Sequence, residues 1–334
     1  MSGEYSAEKV KELTEMVNEH AQLWGLSSSA EIKLLNLSEN ATFLLSDKEK
    51  SNDIILRVQR PGYSDPTEIK SELAWVDALS SEKIIDTAAP VKSVNDNYLE
   101  ILTSKNGLQR YAVAFSRVYG QEPVAGKDLP KWFEKIGEIA AKMHNHAKSW
   151  KKPEWFKRKL WDYSGMMGPV AYWGPWDAAE GLTVQDKEVI AQTLKNVKEK
   201  VERWGYSSQV FGLVHSDLRT ANLIVNNETL YVIDFDDTGF SWYLYDFASS
   251  LSFFEDLPEA PLLMKSWIKG YEKVTRLSPE AIAMLPVFAI LRRILLTAWI
   301  ASHSEIPFAR EKNITFAKGT VELCKKYLQD KFLA

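Results

Sequence analysis

One cysteine, Cys324, stands in 334 residues. A single thiol excludes an internal disulfide and fits a reducing compartment; in the last helical stretch it reads as an inert side chain. Strong charge of either sign is also missing, since the formal net charge is −4 at pH 7. There is no basic surplus to hold a nucleic acid, and the slight acidity favours neutral or cationic small molecules. The opening residues lack the basic-then-apolar pattern expected of a signal peptide. The most apolar window, residues 284–301, is interrupted by Arg292 and Arg293. It is expected to be too short for a bilayer and to form a buried helix. Both arginines are expected to bury their stems and keep their heads solvated or paired. Repeats and low-complexity tracts are absent. A hydrophobic content of 45% with 26% charged residues is that of an ordinary globular protein, and the length suits two packed lobes. The expectation is a soluble, cytoplasmic protein with neither nucleic-acid nor membrane partners.

The chemistry-bearing residues are concentrated in one stretch. Phe211-Gly-Leu-Val-His-Ser-Asp-Leu-Arg-Thr-Ala-Asn-Leu-Ile-Val225 is followed closely by Tyr231-Val-Ile-Asp-Phe-Asp-Asp237. The pattern predicts a strand, a polar loop, a second strand, a turn at Asn226-Asn227 and a third strand ending in acids. His215, Asp217, Asn222 and Asp234 are wedged between runs that favour burial, where an unsatisfied polar group costs roughly 2–7 kcal/mol. Taken singly, His215 and Asp217 read as a satisfied hairpin and Asn222 as a turn residue. Together their spacing is the H-x-D-x-x-x-x-N of kinase catalytic loops, in which the Asp takes a hydroxyl proton and the Asn holds a metal ion. Asp234 ends an apolar strand where a second metal ligand is needed. A triphosphate carries dense negative charge, and hard oxygen ligands suit the Mg²⁺ that bridges it.

His215-Ser-Asp-Leu-Arg-Thr-Ala-Asn222, with Val232-Ile-Asp-Phe-Asp236 and Tyr245-Asp-Phe-Ala248, resembles the aminoglycoside phosphotransferase and choline kinase superfamily of small-molecule kinases. The resemblance is most specific between residues 212 and 251 and extends over most of the chain. It departs at Arg219, where many members carry a second His or another residue. It implies an α+β, protein-kinase-like bilobal fold: a small N-lobe with an antiparallel β-sheet plus a helix, and a larger, mainly helical C-lobe. It also implies ATP as donor, Mg²⁺ and a hydroxyl-bearing small molecule as acceptor. Asp217 would be the base, Asn222 and Asp234 the metal ligands. His215 would be structural, and Asp246 would brace the catalytic loop by hydrogen bonds.

The rest of the chain is consistent with that plan. Residues 7–24 carry apolar residues at helical spacing, and strands are expected at 31–37, 41–45 and 54–58. The turn between the first two contains no glycine, so Ser38 and Asn40 are either phosphate contacts or part of a plain polar hairpin. On the third strand Ile54, Leu56 and Val58 share one face, and Ile55, Arg57 and Gln59 the other. Arg57 stands where the resemblance implies a lysine; an arginine still grips phosphate and stays charged. Asp65, Pro66 and Glu68 announce a capped helix. Glu72 falls within its apolar face, expensive unless paired, and the resemblance offers Arg57 as the partner. A hairpin over 98–102 and 108–115 leads into a segment that the resemblance makes the hinge, with backbone near Phe115, Arg117 and Val118 meeting the adenine. The lobes are expected to divide into residues 1–118 and 119–334. Helices are expected over 129–147, 184–204, 262–274, 279–303 and 311–332, and His144 and His146 face different ways, which argues against a metal site. Residues 150–181 hold Trp150, Trp155, Trp161, Trp173 and Trp176, which either wall an acceptor pocket by ring–cation contact or pin a long loop.

Only eleven residues separate Asp234 from Asp246, and no A-P-E follows. That leaves no room for a peptide platform, which favours a small acceptor. Aminoglycosides, amino alcohols, homoserine-like compounds and hydroxylated amino acids all remain open. Asp236, Asp237, Trp173, Trp176 and Trp242 are the candidate acceptor contacts. The alternative is a pseudokinase-like protein that holds nucleotide without turnover.

Overall fold

The computed structural model describes residues 7–37, 40–49, 52–123, 126, 128–304 and 306–334. Ser38 lies outside the described residues. Two compact units are present: Met1–Gly120 with Lys152–Arg158, and Gln121–Lys151 with Lys159–Ala334.

The first unit opens with α1 (Ala7–His20), followed by β1 (Glu31–Leu37), β2 (Ala41–Asp47), β3 (Asn52–Val58), α2 (Pro66–Ser81), β4 (Pro90–Val91), β5 (Leu99–Thr103) and β6 (Gln109–Ser116). These strands form an antiparallel sheet in the order β1-β2-β3-β6, with β4 and β5 both pairing the far edge of β6. Strand alternation decides what each face buries. Phe43, Leu45, Ile54, Leu56 and Val58 pack with Leu13, Met16 and Val17 of α1. Val113 packs instead with Ile69 and Leu73 of α2. The capping box at the start of α2 forms as its sequence predicts: Asp65 accepts from the backbone of Thr67 and Glu68, and Glu68 accepts from the backbone of Asp65. Each such cap contributes about 1 kcal/mol, and this one fixes the register that delivers Glu72.

The second unit contains α3 (Leu129–Ser149), β7 (Lys159–Leu160), α4 (Tyr163–Met167), α5 (Val184–Trp204), β8 (Phe211–Val214), β9 (Leu223–Asn226), β10 (Thr229–Val232), β11 (Gly239–Trp242), α6 (Tyr245–Ser250), α7 (Ala260–Tyr271), α8 (Pro279–Ser302) and α9 (Pro307–Leu328). Strand β11 lies between β8 and β7, while β9 and β10 form a hairpin through Asn227, at φ 53°. Helices α3 and α7 approach so closely that a Cβ on Gly270 would stand 1.7 Å from the Glu134 carbonyl oxygen. Only glycine permits that crossing.

Helix α8 corrects one expectation. At 24 residues it is long and apolar enough to cross a bilayer by length and composition, rather than too short. Of its most apolar window, 83% is buried inside the protein, so it is the core helix of this unit. Arg292 and Arg293, each 2% exposed, sit within it.

Candidate active site

The loop between β8 and β9 is built from backbone hydrogen bonds that side chains complete. Strand β8 ends at Val214, and a 3-10 turn over Thr220–Asn222 leads into β9. Asp246, fully buried at the start of α6, accepts from the backbone N–H of His215 at 3.1 Å and of Ser216 at 2.8 Å. Ser249 accepts from the N–H of Leu218 at 2.9 Å. His144 of α3 completes the brace, with Nε2 at 2.9 Å from Asp246 and Nδ1 at 3.0 Å from the Tyr271 hydroxyl. Two N–H groups anchored on Asp246 and a third on Ser249 hold three of the four residues 215–218 of the loop. Ser216 is thereby held at φ 70°, a left-handed conformation that costs about 1–2 kcal/mol outside glycine.

His215 is likewise buried. Its Nε2 lies 3.2 Å from the Ile233 carbonyl and its Nδ1 accepts from the Asp217 N–H at 3.3 Å. Those partners require a proton on Nε2 and none on Nδ1, a neutral ring. Burial pushes its pKa below the ordinary value, although Asp246 and Asp217 pull the other way.

The Asp217 carboxylate is held by three donors. Arg219 Nε and Asn222 Nδ2 meet Oδ2 at 3.0 and 2.7 Å, and Arg292 Nη2 from α8 meets Oδ1 at 2.5 Å. Burial pushes this carboxyl up, but the Arg219 and Arg292 guanidiniums outweigh it and hold it below the usual carboxylate range. Asp217 is therefore ionised at neutral pH, with its side chain 15% exposed. Asn222 is placed by its own Nδ2, which also donates to the Asp217 carbonyl at 2.9 Å. Its backbone carbonyl accepts from Ile233 at 2.9 Å, which brings Asp234 to the same end of the β9–β10 hairpin. Asp234 is exposed, at φ 61°, and within electrostatic reach of Arg219.

The other predicted residues divide. In the first unit Arg57 Nη2 meets Glu72 at 2.6 Å, their side chains 6% and 0% exposed, and its guanidinium lies 5.4 Å from the centroid of the Phe115 ring. The Gln59 amide, oriented to satisfy its neighbours, accepts from Arg57 and donates to Asn40. Asn40 also accepts from the Arg60 N–H at 2.9 Å. Arg117 pairs with Asp53 at 2.5 Å and lies over Tyr119, and Val118 follows it half-buried. In the second unit Asp237 faces Lys159 at 3.6 Å, and its carbonyl accepts from Trp161 Nε1. Asp236 is 7% exposed. Trp161 and Trp173 are buried with ring centroids 5.3 Å apart, so both pin their segment; Trp176 is half-buried. Trp242 is fully buried, donates to the Gly205 carbonyl and packs on Tyr206, Phe211 and Phe288. A ring with no exposed surface contacts no acceptor, so Trp242 is a core residue. Arg292, His144, Ser249 and Tyr245 were not among the predicted site residues. The only sequence signal for Arg292 is a cation inside an apolar helix, and that does not name its partner.

Residues 31–277 match the model of the phosphotransferase enzyme family. The chain belongs to that family. This phosphotransferase is 35% identical to a microcompartment-associated aminopropanol kinase of known structure, with a TM-score of 0.87 over 96% of this chain and 99% of that one. It is 24% identical to amicoumacin kinase of Bacillus subtilis (strain 168) over 297 residues, covering 84% of this chain and 83% of its relative. A structure of an amicoumacin kinase in complex with AMP-PNP, Ca²⁺ and Ami, 21% identical, has a TM-score of 0.78 and covers 98% of each chain. The fold is thus protein-kinase-like, and the phosphotransferase is a small-molecule kinase.

Proposed function

We propose that this phosphotransferase transfers the γ-phosphate of ATP to the hydroxyl of a small amino alcohol, with Asp217 as base. The observation that carries the chemistry is the Asp217 carboxylate, ionised, clamped and still 15% exposed. A carboxylate so held can aim an alcohol and accept its proton, which contributes about 10²–10⁴-fold to rate. The acceptor class rests on the 35% identity to an aminopropanol kinase. A protein that merely held nucleotide would gain nothing from three donors fixing this side chain, which argues against the binding-only alternative.

Asn222 spends its amide nitrogen on Asp217, so its Oδ1 is left to face a cation, and the exposed Asp234 carboxylate is the second hard oxygen. Among the described residues no three His, Cys, Asp or Glu gather into a metal cage. Two protein oxygens would suit Mg²⁺, a hard cation that needs few protein ligands. When bound, Mg²⁺ would supply charge neutralisation at the donor phosphates. Arg57, fixed by Glu72 and Gln59, is the cation we assign to donor phosphate in the first unit, with Asn40 in the same network. The backbone around Phe115, Arg117 and Val118 is assigned to the base. Asp236 and Asp237 are assigned to supply negative charge for the acceptor ammonium, and the half-buried Trp176 an apolar surface.

The test is ADP release with ATP, Mg²⁺ and a panel of acceptors. Turnover is expected with 1-amino-2-propanol or ethanolamine and not with 1,2-propanediol, which lacks the ammonium. Equal turnover of the diol would refute the amino-alcohol assignment, and no turnover with any hydroxyl compound would refute the kinase activity proposed here.

A further inference from the structure

We propose that Arg292 is the positioning residue of the reaction: it orients the Asp217 carboxylate and reserves Oδ1 for the acceptor proton. The inference rests on the phosphoryl-transfer reading above.

A guanidinium 2% exposed on an apolar helix costs several kcal/mol to desolvate unless its partners compensate. Three of the hydrogen bonds Arg292 makes lead to the catalytic loop or to α6, which braces it. Nη2 meets Asp217 Oδ1 at 2.5 Å, and Nη1 donates to the Ser216 carbonyl at 3.3 Å and to the Tyr245 hydroxyl at 3.0 Å. Nε donates to Ser252 at 3.2 Å, and the guanidinium lies 5.2 Å from the centroid of the Trp173 ring. Arg293, its neighbour in the chain, provides the contrast. It is neutralised by the buried Glu255 at 3.1 Å, donates to Thr320 of α9 and covers Phe316. Arg293 fastens helices together; Arg292 spends its charge on the carboxylate that faces the acceptor.

Counting acceptor positions makes the assignment specific. A carboxylate offers about four lone-pair sites. Arg219 and Asn222 use the two on Oδ2, and Arg292 uses one on Oδ1. The remaining site is on Oδ1. In the transfer, the acceptor O–H bond breaks as its oxygen bonds to the γ-phosphorus, and the proton passes to Oδ1. The bond from the γ-phosphorus to the bridging oxygen breaks, and its electron pair leaves with ADP. Arg292 permits one orientation of the carboxylate, and a lysine cannot replace its fork of donors.

The charged and titratable groups around Asp217 are His215 and Arg219 on its own loop, Arg292 from α8, Tyr245 from α6, and Asp234 and Asp237 beyond β10. Four variants, Arg292→Met, Arg292→Lys, Tyr245→Phe and Asp217→Asn, are compared by kcat with 1-amino-2-propanol, KM for ATP, and thermal melting. Arg292→Met is expected to lower kcat by about 10²-fold, as a misplaced reacting group does, with KM for ATP changed by less than about twofold. Arg292→Lys should not restore kcat, because an ammonium lacks the fork of donors. Tyr245→Phe, which frees one arm of Arg292, should lower kcat about threefold to tenfold at unchanged KM. A folded Arg292→Met with kcat within about threefold of the parent overturns the proposal. Should that variant fail to fold, unaltered kcat in both Arg292→Lys and Tyr245→Phe overturns it. Parental turnover in Asp217→Asn would overturn the underlying phosphoryl-transfer reading instead.

Discussion

The Arg57–Glu72 pair makes a prediction in which stability and activity part company. Both side chains are buried, at 6% and 0% exposure, and meet at 2.6 Å. The Glu72 Oε1 has no hydrogen-bond partner among the described residues, so the pair is incompletely compensated for its desolvation. Removing one member of a buried pair costs about 3–5 kcal/mol, because the other charge is left buried. For Glu72→Ala the cost should fall at the lower end of that range, since the Gln59 carbonyl, about 3 Å from Arg57, and the Phe115 ring remain. For Arg57→Met it should fall at the upper end, because Glu72 would keep no cation. Replacing both, as Arg57→Met with Glu72→Leu, exchanges an ion pair for apolar contact of similar volume and should be within about 1 kcal/mol of neutral. Urea unfolding measures these costs; Trp24 and Trp75 are buried in this unit and contribute to the fluorescence change. The double variant should thus fold nearly as well as the parent, yet show a raised KM for ATP, since it lacks the cation assigned to donor phosphate. Single variants that each cost under about 1 kcal/mol would refute the stability reasoning. A double variant with the parent's KM would refute the phosphate role of Arg57.

Two further perturbations address the catalytic loop. Ser216→Gly removes a left-handed strain of about 1–2 kcal/mol and a buried hydroxyl that lacks a partner among the described residues. It adds about 0.4–1 kcal/mol of unfolded-state entropy, so stability should rise by about 0.5–1 kcal/mol in urea unfolding; a loss of stability would show that the strain argument fails. His215 is neutral when folded and its pKa is depressed from 6.5. Its contribution is therefore fully present above the unfolded pKa and is lost as pH falls from about 6.5 towards the folded pKa, where only the unfolded chain has taken the proton. Unfolding measured between about pH 8 and 5 should show that loss in the parent and less of it in His215→Gln; parallel profiles would remove His215 as its source.

The sequence made local features legible and long-range ones illegible, for physical reasons. The capping box of α2, the two faces of β3 and the polar residues of the catalytic loop are encoded within a few positions, where spacing maps onto geometry. Cys324 was legible as inert: it is fully buried, and burial pushes its thiol up to about 12. Strand β7 spans two residues and β11 four, too short for alternation to register. Trp242 lies in β11, and an aromatic on so short a strand reads alike whether it faces a ligand or the core. Arg292 stands 75 residues beyond Asp217, and His144 stands 102 before Asp246. Those contacts exist only once α3, α6 and α8 have packed, and helical periodicity marks an arginine in an apolar run as costly without saying which carboxylate compensates it.

The central claim is that Asp217 aims and deprotonates an amino alcohol, and single-turnover phosphorylation of 1-amino-2-propanol by Asp217→Asn tests it most directly. Nucleotide affinity should be retained, while the transfer rate falls by about 10²–10⁴-fold, the loss expected for a positioned base. Transfer within about tenfold of the parent rate, at matched nucleotide occupancy, would contradict the account.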